Sequence, residues 1–518
     1  MKCTIPEISW HNRDPVLSID VQTKTTENSK GDDIFWRLAT GGADSHVLIW
    51  HLTVNETGAA SITCVADLER HQKAVNVVRF SPSGDILATG DDESAIILWK
   101  HKDDFDLPPL PGEENMNKEQ WNSLKVLRGH LEDIYDISWS PDSKLLVSGS
   151  VDNSAIVWDV NKGRAVSILQ DYKGFVQGVS WDPCNQYICT LSTDRQCRLV
   201  DVNTMKTVQR VHKSKIPTPP GHPLQGKTVR LFHDDTFKSF FRRLTFTIDG
   251  SLIIAPSGII EPQESTERIS NATIIFSRHN LKEPIIVLPS LDESTIAVRC
   301  CPIYFELRDD GPVSMLALPY RMVFAVATQH SVIVYDTQQI SPVALISNIH
   351  YTRLTDVAWS SDGRILVVSS TDGYCSIIHF QEGELGKPYK SAKGFLMGDP
   401  ASDIEKPITS KTDDQSSKKT FVEFNSDAMD IDITKSTSNS DKSEQNENGK
   451  DSVGNVDHIV EGSQDIKLVY TETNDTDTSA KNAKRTPPKS ELPAVLSART
   501  PRRVNLITIS SPKRSKNK

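Results

Sequence analysis

The sequence lacks the features that mark secreted, membrane-spanning and metal-binding proteins. No apolar run approaches the roughly 20 residues that a membrane helix needs, so we expect no membrane span. The first residues, "MKCTIPEISWHNRD", contain no apolar stretch of the kind found in a secretory signal. Eight cysteines are scattered without a C-x-x-C pair, which predicts reduced core thiols of an intracellular protein and neither disulfides nor a zinc site.

Catalytic and cofactor-binding motifs are missing as well. The chain has no glycine-rich phosphate loop that opens a helix, no H-E-x-x-H pair and no EF-hand loop. We therefore predict that the protein is not an enzyme, and that it has no cofactor and no metal site.

Charge is divided unevenly along the chain. Residues 481–518 contain 11 Lys and Arg and one acidic residue, whereas residues 399–480 contain 19 acidic and 8 basic residues. An acidic block followed by a basic one is typical of an interaction tail. We predict a folded domain over residues 1–390, an acidic linker over 391–480 and a basic tail over 481–518. The linker is rich in polar residues and poor in aromatics, so we expect it to be disordered.

A repeat of about 40 residues is the strongest positive signal. Residues 127–160, "LRGHLEDIYDISWSPDSKLLVSGSVDNSAIVWDV", contain three strand-like runs separated by polar turns. Six further units have the same phase, although the units that begin near Lys238 and Ser294 are degenerate and carry inserted loops. The G-H…W-D signature at this spacing is typical of WD40 repeats, each of which forms one four-stranded propeller blade.

The sequence therefore predicts an all-β fold, a seven-bladed WD40 β-propeller followed by a disordered C-terminal tail. The segment "CTIPEISW" precedes the first unit and has strand character without a partner. We expect it to supply the outer strand of the last blade, so that the two ends of the domain lock the ring.

His130, Ser148 and Asp152 have the residue types of a catalytic triad. The same types recur in other units, as with His71 and Thr89, whereas a catalytic set would appear once. We interpret the three residues, together with Trp158, as a structural hydrogen-bonded set that ties the strands of one blade.

Two units depart from this set. Glu93 replaces the aspartate in the second unit, and Tyr172 replaces the histidine in the fourth. We expect these two blades to depend less on the polar set and more on packing.

Several stretches resemble the WD40 (middle) subunit of chromatin assembly factor 1, among them "RHQKAVNVVRFSPSGDILATG", "FHDDTFKSFFRRLTFTIDGSL" and "IAVRCCPIYFEL". The resemblance covers residues 1–380 and resumes at "RTPRRVNL". It implies a nuclear, chromatin-associated, non-enzymatic histone chaperone complex that deposits histones H3–H4 on newly replicated or repaired DNA. The implied partners are the large and small subunits of the complex, the anti-silencing histone chaperone and, directly or through the complex, H3–H4.

Near the end of the chain, "TPRRVNLITI" combines two arginines with a strand-like apolar run. A lone strand of this kind can add to the edge of a partner's sheet. The resemblance implies that Arg502 and Arg503 meet acidic groups of the anti-silencing chaperone, while Val504 and Leu506 fill its apolar groove. A basic nuclear-import stretch is the alternative interpretation, and the two roles are compatible. No aromatic platform or groove-reading helix accompanies the basic residues, so we expect direct DNA binding to be weak at most.

A second candidate site lies in "FHDDTFKSFFRRLTF". We predict that its phenylalanines belong mostly to a blade core, and that Lys238, Arg242 and Arg243 form an exposed basic patch for the large subunit. Two other functions stay open. One is the WD40 subunit of a replication-independent histone deposition complex, although that family has a second large region after the motif and this chain ends 12 residues beyond Leu506. The other is a substrate receptor of a ubiquitin ligase, although "VWDVN" lacks the arginine of the W-D-x-R signature.

Overall fold

The computed structural model describes residues 1–24, 26–27, 34–55, 57–102, 117–262, 270–290, 293–309, 311–389 and 506–508. Within these ranges all regular elements are β-strands, and no helix there is long and apolar enough to span a membrane. The strands form seven antiparallel sheets, which are the seven blades of a propeller.

The first three blades follow an N-terminal strand, β1 (Lys2–Thr4). Blade 1 contains β2 (Val16–Val21), β3 (Thr26–Glu27), β4 (Ile34–Gly42), β5 (Val47–Val54) and β6 (Ala60–Leu68). Blade 2 contains β7 (Val75–Phe80), β8 (Ile86–Asp91), β9 (Ala95–His101) and β10 (Trp121–Arg128). Blade 3 contains β11 (Ile134–Trp139), β12 (Leu145–Ser150), β13 (Ala155–Asp159) and β14 (Arg164–Leu169).

Blades 4 and 5 complete the middle of the ring. Blade 4 contains β15 (Val176–Trp181), β16 (Tyr187–Ser192), β17 (Cys197–Asp201) and β18 (Lys206–Val211). Blade 5 contains β19 (Lys213–Lys215), β20 (Thr228–Phe232), β21 (Thr245–Phe246), β22 (Leu252–Pro262), β23 (Ser270–Ser277) and β24 (Ile286–Ser290).

The last two blades contain strands from both ends of the chain. Blade 6 contains β25 (Thr295–Phe305), β26 (Arg321–Thr328), β27 (Ser331–Asp336) and β28 (Ala344–Ser347). Blade 7 contains β29 (Leu354–Trp359), β30 (Ile365–Ser370) and β31 (Cys375–His379), with β1 at its outer edge. A final strand, β32 (Leu506–Thr508), pairs with β28 of blade 6.

The innermost strands close a complete ring around the central channel. Contacts run between neighbouring members of the series β2, β7, β11, β15, β21, β25 and β29, and from β29 back to β2. These strands read as nearly continuous apolar runs because both of their faces are covered by neighbouring blades; all six residues of β7 are buried, for example.

The predicted closure of the ring is confirmed. β1 pairs antiparallel with β31, with Lys2 opposite His379 and Thr4 opposite Ile377. The strand is shorter than "CTIPEISW", and Trp10 instead packs as a fully buried side chain against Trp50, with ring centroids 4.8 Å apart.

The eight cysteines are free, but they do not all belong to the core. Cys189, Cys197, Cys301 and Cys375 are buried, whereas Cys64 and Cys184 are exposed. The prediction of core thiols is therefore wrong for Cys64 and Cys184, because they lie at the propeller surface.

Candidate functional site

The polar set of blade 3 is built from four elements. His130 lies in the loop between blades 2 and 3, Ser148 on β12, Asp152 in the next turn and Trp158 on β13. His130 Nδ1 lies 2.8 Å from Asp152 Oδ2, and His130 Nε2 lies 2.7 Å from Ser148 Oγ. Trp158 Nε1 donates to the same Ser148 oxygen at 2.9 Å. Ser148 is fully buried, so the set offers no exposed nucleophile and connects the loop to two strands of the blade.

Gly129 explains the glycine that precedes this histidine. A Cβ atom at position 129 would lie 2.8 Å from Trp158 Cη2, which is closer than real Cβ contacts allow. The G-H pair therefore combines close packing on the indole with the first hydrogen bond of the set.

The same arrangement recurs elsewhere in the ring. The histidines of blades 1, 2 and 7 each have a carboxylate at Nδ1 and a hydroxyl at Nε2: His11 with Asp44 and Thr40, His71 with Asp91 and Thr89, and His350 with Asp372 and Ser376. A set found in several blades is typical of a structural role.

The two departures keep the polar set in altered form. In blade 2, Asp91 at the end of β8 pairs with His71 Nδ1 at 2.6 Å, so Glu93 is not the missing partner. In blade 4, the Tyr172 hydroxyl donates to Thr190 Oγ1 at 3.1 Å, and the Arg198 guanidinium lies 4.6 Å from the tyrosine ring centroid. The prediction that these blades lose the polar set is wrong, because nearby residues supply equivalent donors and acceptors.

Asp152 gives the set a predictable pH dependence. Burial alone would raise its pKa, but hydrogen bonds from His130, Ser154 and the Leu131 amide lower the pKa of Asp152 to about 2. A depressed carboxylate pKa contributes stability above the unfolded-state value, and that contribution is lost as the pH falls through the folded-state value.

We therefore expect Asp152→Asn to lower the free energy of unfolding by about 1–3 kcal/mol at neutral pH. Urea unfolding at a series of pH values should show a difference from the parent that is constant above about pH 4 and shrinks towards about pH 2. The exposed Asp142 in the neighbouring turn provides a control, since Asp142→Asn should change stability much less. A parent-to-variant difference that stays constant through the acid range contradicts this assignment.

Arg242 and Arg243 are not an exposed basic patch. Both side chains have no solvent exposure, and burial lowers the pKa of each guanidinium to about 10. Arg242 donates to Gln177 Oε1 at 2.7 Å, to the His233 carbonyl at 2.5 Å and to the Asp234 carbonyl. The earlier prediction fails because carbonyl groups of other blades accept hydrogen bonds from these arginines inside the ring.

Arg243 lies at the centre of an ion network in the channel. Its guanidinium donates to the carbonyls of Leu17, Asn76 and Thr355, on or beside the inner strands of blades 1, 2 and 7. It also lies 3.1 Å from Asp356 Oδ2, which pairs with Arg79 Nη1 at 2.8 Å. Burial opposes ionisation of Asp356, but Arg243, Arg79 and Arg299 hold the pKa of this carboxyl well below its usual range.

The sequence analysis missed this network. Its signal is a charged residue in the middle of an otherwise apolar inner strand: Arg79 in "NVVRF", Asp136 in "IYDISW" and Asp356 in "LTDVAW". Three such charges at similar strand positions in different repeats converge wherever the repeats close into a ring.

Lys238 is the one exposed member of the predicted patch. Its carbonyl accepts a hydrogen bond from Arg353 Nη1 at 2.9 Å, which links the loop before blade 5 to blade 7. Phe240 on the same loop is 65% exposed and lies over Tyr135, with ring centroids 5.9 Å apart.

Other exposed apolar side chains occupy equivalent loops. Leu131 is 84% exposed and Tyr351 is 80% exposed, and each follows the histidine of a blade. Loops that enter successive blades lie on the same face of a propeller, so these residues and Phe240 share one face. Exposed apolar groups beside polar ones are typical of protein-binding surfaces. We name Leu131, Lys238, Phe240 and Tyr351 the entry-loop face.

The tail motif is described only in part. Arg502, Arg503 and Val504 lie outside the described residues, whereas Leu506 begins β32. Leu506 lies opposite Ile346 of β28, and Thr508 lies opposite Ala344. The predicted strand therefore forms, and its partner is the edge of this chain's own blade 6.

One group in the described residues has the composition of a cation site. His46, Asp67 and Glu69 each place a ligand atom within 4.8 Å of the others. His46 Nδ1 already lies 2.9 Å from both carboxylate oxygens of Asp67, and Glu69 is exposed. We interpret this group as a surface ion pair beside a further acidic residue.

Comparison with known proteins places these observations in context. The family model described as the CAF1B/HIR1 beta-propeller domain matches residues 1–385. A chromatin assembly factor 1 subunit of Gallus gallus is 46% identical over 403 residues, which cover 75% of this chain and 69% of that protein.

More distant relatives have two different names. The chromatin assembly factor 1 subunit of the same name in Saccharomyces cerevisiae is 34% identical, covering 73% of this chain and 86% of that protein. Protein HIR1 of Eremothecium gossypii is 30% identical, covering 68% of this chain and only 44% of that protein. The similarity thus extends over most of the chromatin assembly factor 1 proteins and over less than half of HIR1.

Proposed function

Because this chain belongs to the CAF1B/HIR1 β-propeller family, we propose that it is the WD40 scaffold subunit of chromatin assembly factor 1. In this role it has no catalytic activity, is located on chromatin in the nucleus and helps to deposit histones H3–H4 onto newly replicated or repaired DNA. The observation that carries the proposal is the 46% identity to a chromatin assembly factor 1 protein over most of both chains.

A replication-independent deposition complex is the second candidate, since HIR1 belongs to the same family. The 30% identity and 44% coverage of HIR1 favour the role in chromatin assembly factor 1. That role makes the large and small subunits of chromatin assembly factor 1 the expected partners, with the large subunit on the entry-loop face. Phe240 and Lys238 support this location because they are exposed beside the channel mouth.

The tail supplies the proposed link to histone delivery. We propose that residues 502–506 dock on the anti-silencing histone chaperone, with Arg502 and Arg503 on acidic groups and Val504 and Leu506 in an apolar groove. Added strands obtain affinity from main-chain hydrogen bonds and specificity from alternate side chains.

A peptide titration tests this docking. A peptide spanning residues 493–513 is expected to bind the chaperone with micromolar or tighter affinity, and Arg502→Ala/Arg503→Ala/Leu506→Ala to weaken it at least about 100-fold. A matched control peptide carries Lys513→Ala, outside the motif. Equal, weak and salt-sensitive binding by all three peptides would instead identify a nonspecific basic tail.

A further inference from the structure

The outer edge of blade 6 differs from the other blade edges. β28 carries a fifth strand, β32, in the register Ala344 to Thr508, Leu345 to Ile507 and Ile346 to Leu506. In the described ranges, the outer strands of the other six blades end their sheets without a further partner. Those strands are β1, β6, β10, β14, β18 and β24.

Sequence gives an independent reason for this difference. An exposed sheet edge accepts additional strands unless charged side chains or proline protect it. Each of the six other outer strands contains such a residue: Lys2, Asp67, Lys125 and Arg128, Arg164, Lys206 and Arg210, or Pro289. β28, "ALIS", contains neither, and the surrounding residues 338–349 contain no charged side chain. Among the described strands, blade 6 therefore has the one outer strand without these protective residues.

We propose that the edge of β28 is a strand-binding site for Leu506–Thr508 of the same chain, and that this pairing withholds the tail motif from its partner. Leu506 belongs both to β32 and to the proposed docking motif. A partner sheet that takes up this segment must fit against the flank of blade 6 or displace β32 from it. The second half of the proposal rests on the chaperone docking proposed above.

Hydrogen exchange on the full chain tests the site without any partner. Ile507→Pro removes a backbone donor from β32, and Ala480→Pro is the matched control outside the strand. We expect the β28 amides to exchange about tenfold faster in Ile507→Pro, corresponding to about 1.4 kcal/mol. Exchange in β14 should not change. A peptide of residues 498–513 added to Ile507→Pro should restore protection.

Two outcomes overturn the site. Equal β28 exchange in the parent and in Ile507→Pro would show that the tail does not pair there. Protection that increases with protein concentration would assign the strand to a second copy of the chain, so the pairing would not be within one chain.

Competition with the chaperone is tested at the blade instead of the tail. Leu345→Lys places a charge on the β28 edge and leaves the docking motif intact, while Val166→Lys makes the same change on the outer strand of blade 3. We expect Leu345→Lys to raise chaperone affinity up to about tenfold, since a withheld fraction lowers apparent affinity in proportion. Equal affinities for parent and variant overturn the competition. Loss of chaperone binding by every chain, with tail-dependent exchange preserved, overturns the proposed function and supports the strand site.

Discussion

Replacing Arg243 with alanine is expected to lower the free energy of unfolding by about 3–5 kcal/mol, the usual cost of removing one partner from a buried ion pair. Arg243 has no solvent exposure and lies 3.1 Å from Asp356, which is also fully buried. The variant leaves Asp356 with weaker compensation and leaves three backbone carbonyls without this donor.

The effect should extend around the ring. The backbone of Arg243 exchanges hydrogen bonds with Ile296 and Val298 of blade 6, while its side chain contacts blades 1, 2 and 7. One residue that precedes β21 therefore connects blade 5 to four other blades. A ring held in this way is expected to lose stability as a unit, so the unfolding transition should move without splitting.

Denaturant unfolding followed by tryptophan fluorescence measures this difference. Lys238→Ala is the matched control, because Lys238 is an exposed cation on the same loop, and its effect should stay within about 0.5 kcal/mol. Arg243→Lys should have an intermediate effect, because lysine keeps the charge without the planar set of five donors. Equal stability of Arg243→Ala and Lys238→Ala would contradict the assigned role.

The second large effect is expected for Trp158→Ala, at about 3–5 kcal/mol of unfolding free energy. The Trp158 side chain is 1% exposed, packs against Gly129 and donates to Ser148 Oγ. Its removal combines a cavity between blades with the loss of one hydrogen bond.

Trp158→Phe separates these two contributions. The phenyl ring retains most of the packing, and Ser148 keeps its hydrogen bond with His130, so we expect a loss of about 1–2 kcal/mol. Thermal or denaturant unfolding provides the measurement. A loss for Trp158→Phe as large as that for Trp158→Ala would mean that the hydrogen bond, and not packing, dominates.

Repeats made the fold predictable from sequence. Each blade has short strands with polar turns between them, and the recurring G-H and W-D positions fix the phase of seven units. The outer strand of the last blade was predictable too, because "CTIPEISW" has no other strand to pair with before the first unit. Such signals are local, so a single sequence contains them.

Interactions between blades were less predictable. Arg242 and Arg243 follow two phenylalanines, and their charge suggested exposure, yet the carbonyls that accept their hydrogen bonds come from distant parts of the chain. The pairing of β32 with β28 joins positions 160 or more residues apart. No local pattern in "ALIS" names its partner, although its lack of charge and proline marks the edge as open.

Reconstitution of the complex tests the central claim most directly. The large and small subunits of chromatin assembly factor 1 would be purified with this chain, with its Phe240→Glu variant, with its Val166→Glu variant or without it, and H3–H4 deposition on replicating DNA would be measured. We expect the parent and Val166→Glu to co-elute with the large subunit and support deposition. Phe240→Glu should bind at least about tenfold more weakly. Equal deposition with and without this chain, or its failure to co-elute with the large subunit, would contradict the account.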